Sequence, residues 1–136
     1  MSRRIITQTI LDAKATTGIG ALVFVKDHRH KYISIATNGL AGGQSVTIKC
    51  VGSVQESAPL FGSAQSASNI WDYVQMIDLQ DGSSVPGNTG VTFSTADDAQ
   101  QFAVNVDGLS WIALNVTANA NSVPVTALIT LYNDSD

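Results

Sequence analysis

Regular alternation of apolar and polar residues in the last third of the chain restricts its fold more than any other sequence feature. Residues 102–106 alternate in this way, and the pattern resumes after Asp107-Gly108 over 112–117 and 123–132. Because side chains alternate between the two faces of a strand, each segment has one apolar face. Asp-Gly tolerates the positive φ angles of a two-residue hairpin turn. The pattern therefore predicts a three-stranded antiparallel meander with one face in the core.

Residue choice extends the β prediction to the whole chain. Thr, Val, Ile, Ser, Asn and Gly dominate, whereas Glu, which favours the solvent face of helices, occurs once, at Glu56. Further strand signals, separated by Gly, Asn and Asp turns, occur at 21–25, 31–37, 44–51, 71–79 and 90–94. We therefore expect an all-β fold, an antiparallel β-sandwich or jelly-roll-like barrel of about eight short strands.

The 136 residues are enough for a single domain, which we place at 21–136 behind an N-terminal arm at 1–20. The arm carries a strand-like apolar run, followed by small residues over 15–20; the run consists of Ile5, Ile6, Ile10 and Leu11. Such an arm either completes its own sheet or pairs with a neighbouring subunit. A second unusual stretch, 53–69, is rich in Ser, Ala and Gln and predicts a long surface loop or a helical turn near 58–67.

Charge is divided along the chain. The net charge of −4 is the sum of +5 for residues 1–49 (seven basic, two acidic) and −9 for residues 50–136 (nine acidic, no basic). The seven basic residues are Arg3, Arg4, Lys14, Lys26, Arg29, Lys31 and Lys49. With 13% charged residues the chain is unlike a charge-rich disordered protein, and its acidic balance is unlike that of a basic nucleic-acid binder. The division predicts two different surfaces, one of them basic.

Residues that could carry catalysis or hold a metal are sparse. His28 and His30 share a strand face and, with Asp27, could supply zinc ligands, but three basic neighbours would repel a cation: Lys26, Arg29 and Lys31. We interpret this segment as a solvated basic hairpin tip. The run 78–83 lacks the acidic spacing of a calcium loop. We expect a protein that is not an enzyme and has no catalytic residues, no metal and no cofactor.

The remaining candidates are one thiol and the aromatic residues. Cys50 alternates with apolar residues and is interpreted as a small core side chain. Four aromatic residues either line a carbohydrate platform or anchor the core and interfaces, and we favour the anchors: Trp71, Tyr73, Trp111 and Tyr132.

Targeting signals also bear on location. No window approaches the roughly 18 consecutive apolar residues of a membrane helix, and polar residues interrupt the N-terminal run. We expect a soluble protein made in the cytoplasm of the producing cell, without a membrane partner.

A pattern of strands and turns recurs between residues 44 and 132, in the segments 45–49, 51–53, 58–61, 68–74, 78–83, 87–90 and 104–113. This pattern resembles that of small β-sandwich structural proteins of tailed bacteriophages. It implies a virion component made in a bacterial host, either a head decoration (cement) protein on the capsid surface or a neck, tail or fibre module. No active site is implied.

From this resemblance and the charge division we expect a homo-oligomer, with a trimer favoured, that binds the major capsid protein. The hypothetical capsid or subunit contact consists of Arg3, Arg4, Ile5, Ile6, Ile10, Leu11, Lys26, Arg29 and Lys31. The alternative is an adhesive module that binds glycans, for which the aromatic residues and the sandwich architecture are the evidence.

Overall fold

The computed structural model describes residues 4–134 and confirms the all-β antiparallel sandwich. Its twelve strands include several of only two residues, which the alternation pattern could not reveal. The strands are β1 Ile5–Lys14, β2 Gly18–Ile19, β3 Val23–Phe24, β4 His30–Thr37, β5 Ser45–Ser53, β6 Asp72–Tyr73, β7 Met76–Asp78, β8 Ser84–Val85, β9 Val91–Ser94, β10 Ala99–Ala103, β11 Trp111–Ala118 and β12 Val125–Tyr132. The described residues contain no helix that is long and apolar enough to span a membrane.

The strands form two sheets with the core between them. The first sheet has the order β1-β12-β4-β10-β7-β8, and the second has the order β2-β11-β5-β6, with β3 also paired to β11 and β9 to β5. Every second residue of β4 and β12 is buried, so one face of the first sheet lies in the core. Ile33 and Ile129 of the first sheet and Leu114 of the second are among the fully buried side chains of the core.

The predicted C-terminal meander is wrong. β10 pairs with β4 and β7, β11 lies in the second sheet, and β12 pairs with β1 and β4. The turn at Asp107-Gly108, where Gly108 has φ +88°, carries the chain from one sheet to the other. Alternation shows which face of a strand is buried but not which strand lies beside it, and a crossing connection satisfies the pattern equally well. For the same reason, the residues between β3 and β4 do not form a hairpin tip.

The N-terminal segment belongs to the sandwich. β1 pairs antiparallel with β12 from Ile5 to Lys14, and β2 pairs with β11. Ala21 N donates to Ile10 O (3.0 Å), which ties the edge of the first sheet to the segment that enters the second. Of the two expected roles, the structure shows the segment completing its own sheets. Arg3 lies outside the described residues.

The stretch from 54 to 71 is an ordered loop without a helical turn, and it covers the outer face of the second sheet. Phe61 is its buried anchor, packed with Val51 and Ala113 of that sheet. Asn69 holds the loop together, since its side chain accepts from Leu60 N and donates to Leu60 O. The cover explains why the last four residues of β5 are buried on both faces.

Candidate functional site

One end of the sandwich collects the exposed residues of the predicted contact. Ile5 pairs with Tyr132, and Tyr132 pairs with His30, so the start of β1 lies beside the segment that precedes β4. Arg4, Ile5 and Arg29 are exposed at this end, with Ile5 58% accessible. Ile6 is half-buried against the core. The structure therefore brings together residues that are 25 positions apart in sequence.

Three residues of the predicted contact are buried, which excludes them from an exposed surface. Ile10 and Leu11 are each 2% accessible and pack in the core, because β1 is a strand of the sandwich rather than a free arm. Lys31 is 3% accessible, because it takes an inward position on β4. Exposure cannot be inferred from side-chain polarity alone when a lysine falls on the inward side of an alternating strand.

Ion pairs at this end join the basic and acidic parts of the chain. Lys26 Nζ lies 2.5 Å from Glu56 Oε1, and Arg29 Nη1 lies 3.0 Å from Asp134 Oδ2. The hydrogen bond between Lys26 and Glu56, reinforced by their charges, raises the pKa of the lysine and lowers that of the glutamate. The division of charge along the sequence is therefore not a division into two separate surfaces here. Exposed pairs of this kind add little stability but orient the loops they join.

The outer face of the first sheet carries few charged side chains. The outward side chains that pair in register on β1, β4 and β12 include no Asp, Glu, Lys or Arg, and the exposed Asp12 lies beyond them, where the register of β1 shifts; they are Ile5, Thr7, Thr9, His30, Tyr32, Ser34, Ala36, Thr126, Leu128, Thr130 and Tyr132. Leu128, near the middle, is 38% accessible. Tyr132 stacks on His30 and Tyr32, with ring centroids 4.7 and 5.7 Å apart. The second sheet, by contrast, is covered by the 54–71 loop.

Sequence reasoning did not find this face, although one signal for it existed. The outward positions of 30–36 and 126–132 lack Lys, Arg, Asp and Glu and could be counted in advance. That β4 and β12 lie side by side could not be predicted, because the residues that pair, such as Ser34 and Leu128, are far apart in the chain.

The two tryptophans fasten the 54–71 loop to the second sheet. Trp71 Nε1 donates to Ser63 O and Trp111 Nε1 donates to Glu56 O, each at 3.0 Å. The Trp71 ring makes edge contacts with Phe61 and Tyr73, at centroid distances of 6.1 and 5.5 Å. Both indoles are half-buried and use their N–H groups within the chain, an arrangement typical of anchors rather than of an open stacking platform.

The remaining side chains that could react or bind a metal have structural roles. Cys50 is buried, and burial raises the pKa of its thiol to about 12, so the nucleophilic thiolate does not form near neutral pH. Asp78 and Asp81 accept from the backbone N–H of Gln80 and Ser83, both at 2.9 Å, as turn-forming aspartates do. Within residues 4–134 no group of three or more His, Cys, Asp or Glu side chains is placed to hold a metal ion.

Comparison with known proteins identifies the fold. No family model and no curated protein matches the chain. Among solved structures, the crystal structure of the SPBc2 prophage-derived protein YomS is similar, with a TM-score of 0.65 and 13% sequence identity. The similarity covers 98% of this chain and 96% of that one. At this identity it shows a shared fold over nearly the whole length of both chains.

Proposed function

We propose that the protein is a non-enzymatic structural component of a tailed-phage virion. The observation that carries the proposal is the fold similarity to a prophage-derived protein, which spans 98% of this chain and 96% of the other. The resemblance of segments between 44 and 132 to phage β-sandwich proteins supports the same assignment.

The specific role we propose is capsid decoration: a homo-oligomer, with a trimer favoured, binds the major capsid protein on the outer surface of the head and stabilises it. The outer face of the first sheet supports this role. Uncharged Thr, Ser and Tyr side chains can be buried against a partner at lower desolvation cost than charged ones. The exposed Arg4 and Arg29 at one end of this face would fix orientation more than affinity.

Cosedimentation with bare capsids assembled from the major capsid protein of the same genome tests this role. The wild-type protein is expected to pellet with the capsids up to a saturating ratio. Leu128→Lys, which places a charge in the middle of the uncharged face, is expected to weaken binding by about tenfold or more. Ser94→Lys, an exposed position on β9 of the second sheet, serves as the matched control and is expected to bind normally. Absence of wild-type binding would contradict the decoration role.

The oligomeric state in solution distinguishes the decoration role from other roles in the virion. A stable trimer in light scattering is the result we expect for a protein that occupies three-fold or quasi-three-fold positions. A monomer would instead favour a vertex-bound, neck or tail component or an adhesive module.

A further inference from the structure

A notch of about 350 Å³ lies at the end of the first sheet at which β4 finishes. It opens between residues 78–80, at the end of β7, and residues 98–101, at the start of β10. Thr37 N donates to Asp98 O at 3.1 Å, which places the notch beside the last residue of β4. The notch is therefore at the opposite end of the strands from Arg4.

Two carboxylates line the notch, those of Asp78 and Asp98, and its lining residues include no Lys, Arg or His. Each carboxylate uses one oxygen to hold its own turn, since Asp78 Oδ1 accepts from Gln80 N at 2.9 Å and Asp98 Oδ1 accepts from Ala99 N at 2.8 Å. Asp98 Oδ2 also accepts from Gln100 Nε2 at 3.1 Å. None of the ion pairs within residues 4–134 includes either carboxylate. The notch is therefore a cavity with two negative charges and no cation of its own.

The lining groups favour an organic cation over a metal ion. Among the described residues, no third His, Cys, Asp or Glu side chain joins the two carboxylates to complete a metal site. A guanidinium group carries five N–H donors in one plane, which match carboxylate oxygens and the amide oxygens of Gln80 and Gln101 in the lining. An arginine side chain therefore matches the notch best.

The chain itself supplies such a side chain. Three basic residues between positions 4 and 134 are exposed: Arg4, Lys26 and Arg29. Lys26 and Arg29 form ion pairs with Glu56 and Asp134, whereas none of the ion pairs within this range includes Arg4. An exposed arginine without a carboxylate and two carboxylates without a cation are therefore present on the same molecule.

Arg4 cannot reach the notch of its own subunit. It precedes Ile5, which lies beside the start of β4 through Tyr132, whereas the notch lies beside the end of β4. The eight residues of β4 separate these two ends by about 23 Å. The arginine and the carboxylates are therefore placed for a contact between two copies arranged head to tail.

We propose that Arg4 of one copy inserts into the notch of the next copy and pairs with Asp78 and Asp98 there. Such a contact joins two different surfaces, so it closes into a ring when the rotation between copies allows it. The proposal rests on the homo-oligomer of the proposed function, and a ring of three copies is the trimer favoured there. The contact uses the two ends of the first sheet, which leaves the outer face of that sheet free to bind the capsid.

Charge reversal tests the contact, with sedimentation equilibrium measuring the concentration at which half of the protein is oligomeric. Arg4→Glu and Asp98→Arg should each raise this midpoint concentration by about tenfold or more, because each removes the attraction between arginine and notch. The double variant restores opposite charges and should return the midpoint to within about threefold of the wild-type value. Lys14→Glu makes the same charge change as Arg4→Glu at the other end of β1 and should leave the midpoint unchanged. Single variants without an effect, or a double variant that associates no better than the single ones, would overturn the proposal.

A milder variant guards against a folding defect. Asp98 is exposed, and Asp98→Asn keeps the shape of the side chain and an oxygen that accepts from Ala99 N, so this variant should melt close to the wild-type temperature. Loss of one charge from the notch should raise the midpoint concentration by about threefold. An unchanged midpoint in this folded variant would contradict the contact.

The same measurements separate this contact from the proposed function. A wild-type trimer that none of these substitutions weakens would overturn the contact and leave the virion role in place. A wild-type protein that is monomeric at every concentration would overturn the contact and the homo-oligomer together. In both cases cosedimentation with capsids decides the virion role.

Discussion

At the scale of single residues, Asp97 shows how one exposed carboxylate can organise a turn. Its oxygens accept from Gly39 N at 2.8 Å, Leu40 N at 2.7 Å and Thr37 Oγ1 at 3.2 Å, linking the end of β4 to the loop before β10. The backbone hydrogen bonds from Gly39 and Leu40 lower the pKa of Asp97 below its ordinary value of 3.8. The ionised carboxylate is therefore the form that stabilises the fold.

Replacing Asp97 should lower stability in a pH-dependent way. Because the pKa is depressed in the folded state, the stabilisation is present above pH 3.8 and is lost as the pH falls through the lower folded-state value. Asp97→Ala is expected to have a lower melting temperature than wild type at neutral pH, and the difference should shrink in strong acid. Thermal denaturation followed by circular dichroism measures this. Asp12→Ala, on the exposed side of β1, is the control and should change little. A deficit in Asp97→Ala that is equal at both pH values would contradict the account.

The roles of some single residues could be predicted from the sequence, whereas those of others could not. The burial of Cys50 and the turn-forming roles of Asp78 and Asp81 were predictable, because they depend on neighbours close in the chain. The burial of Lys31 was readable from the alternation with Ile33 and Ile35, but its charge argued for the surface. The unpaired Nδ1 of His28 depends on packing between distant loops and has no sequence signal.

At the scale of elements, the 54–71 loop behaves as a third layer on the sandwich. Within this loop, Phe61 is 3% accessible, whereas its neighbour in sequence, Leu60, is 68% accessible. Phe61→Ala is expected to cost about 3 kcal/mol of unfolding free energy, because it leaves a cavity beneath the loop. Leu60→Ala should cost less than about 0.5 kcal/mol.

Denaturant unfolding and tryptophan fluorescence together test this role of the loop. Trp71 packs against Phe61, so its emission should shift toward that of a solvated indole in Phe61→Ala but not in Leu60→Ala. Equal effects of the two substitutions would show that the loop is not anchored through Phe61.

β1 provides a second test at this scale. Deletion of residues 1–15 removes a whole edge strand and two core side chains, Ile10 and Leu11. We expect the shortened protein to lose cooperative thermal unfolding, since two such side chains are worth several kcal/mol in a marginally stable domain. Deletion of residues 1–4, which ends before β1, should leave the transition in place. A stable, cooperative protein after the longer deletion would mean that the segment is a dispensable arm.

Strand positions were largely predictable, but strand neighbours were not. Alternation located β4, β5, β11 and β12, because one face of each lies in a dry core. It failed for the C-terminal meander, since the Asp-Gly turn that closes a hairpin also fits a crossing between sheets. The two-residue strands are too short to show alternation, and they are strands only because they pair with neighbouring strands.

At the scale of the whole molecule, the charge division acquires a different meaning. The +5 and −9 segments meet in the folded protein through the Lys26–Glu56 and Arg29–Asp134 pairs. The outer faces of the two sheets differ instead, because a loop covers the second sheet, whereas the paired outward side chains of β4 and β12 in the first sheet are uncharged. Sheet pairing creates this asymmetry, which explains why composition alone did not predict it.

Mass spectrometry of purified virions, with copy number measured relative to the major capsid protein, tests the proposed function most directly. We expect the protein to co-purify with intact particles at a fixed ratio to the major capsid protein, in the high copy number of a decoration protein. Finding the protein only in the free fraction of the lysate, with none in the particles, would contradict its role as a structural component of the virion.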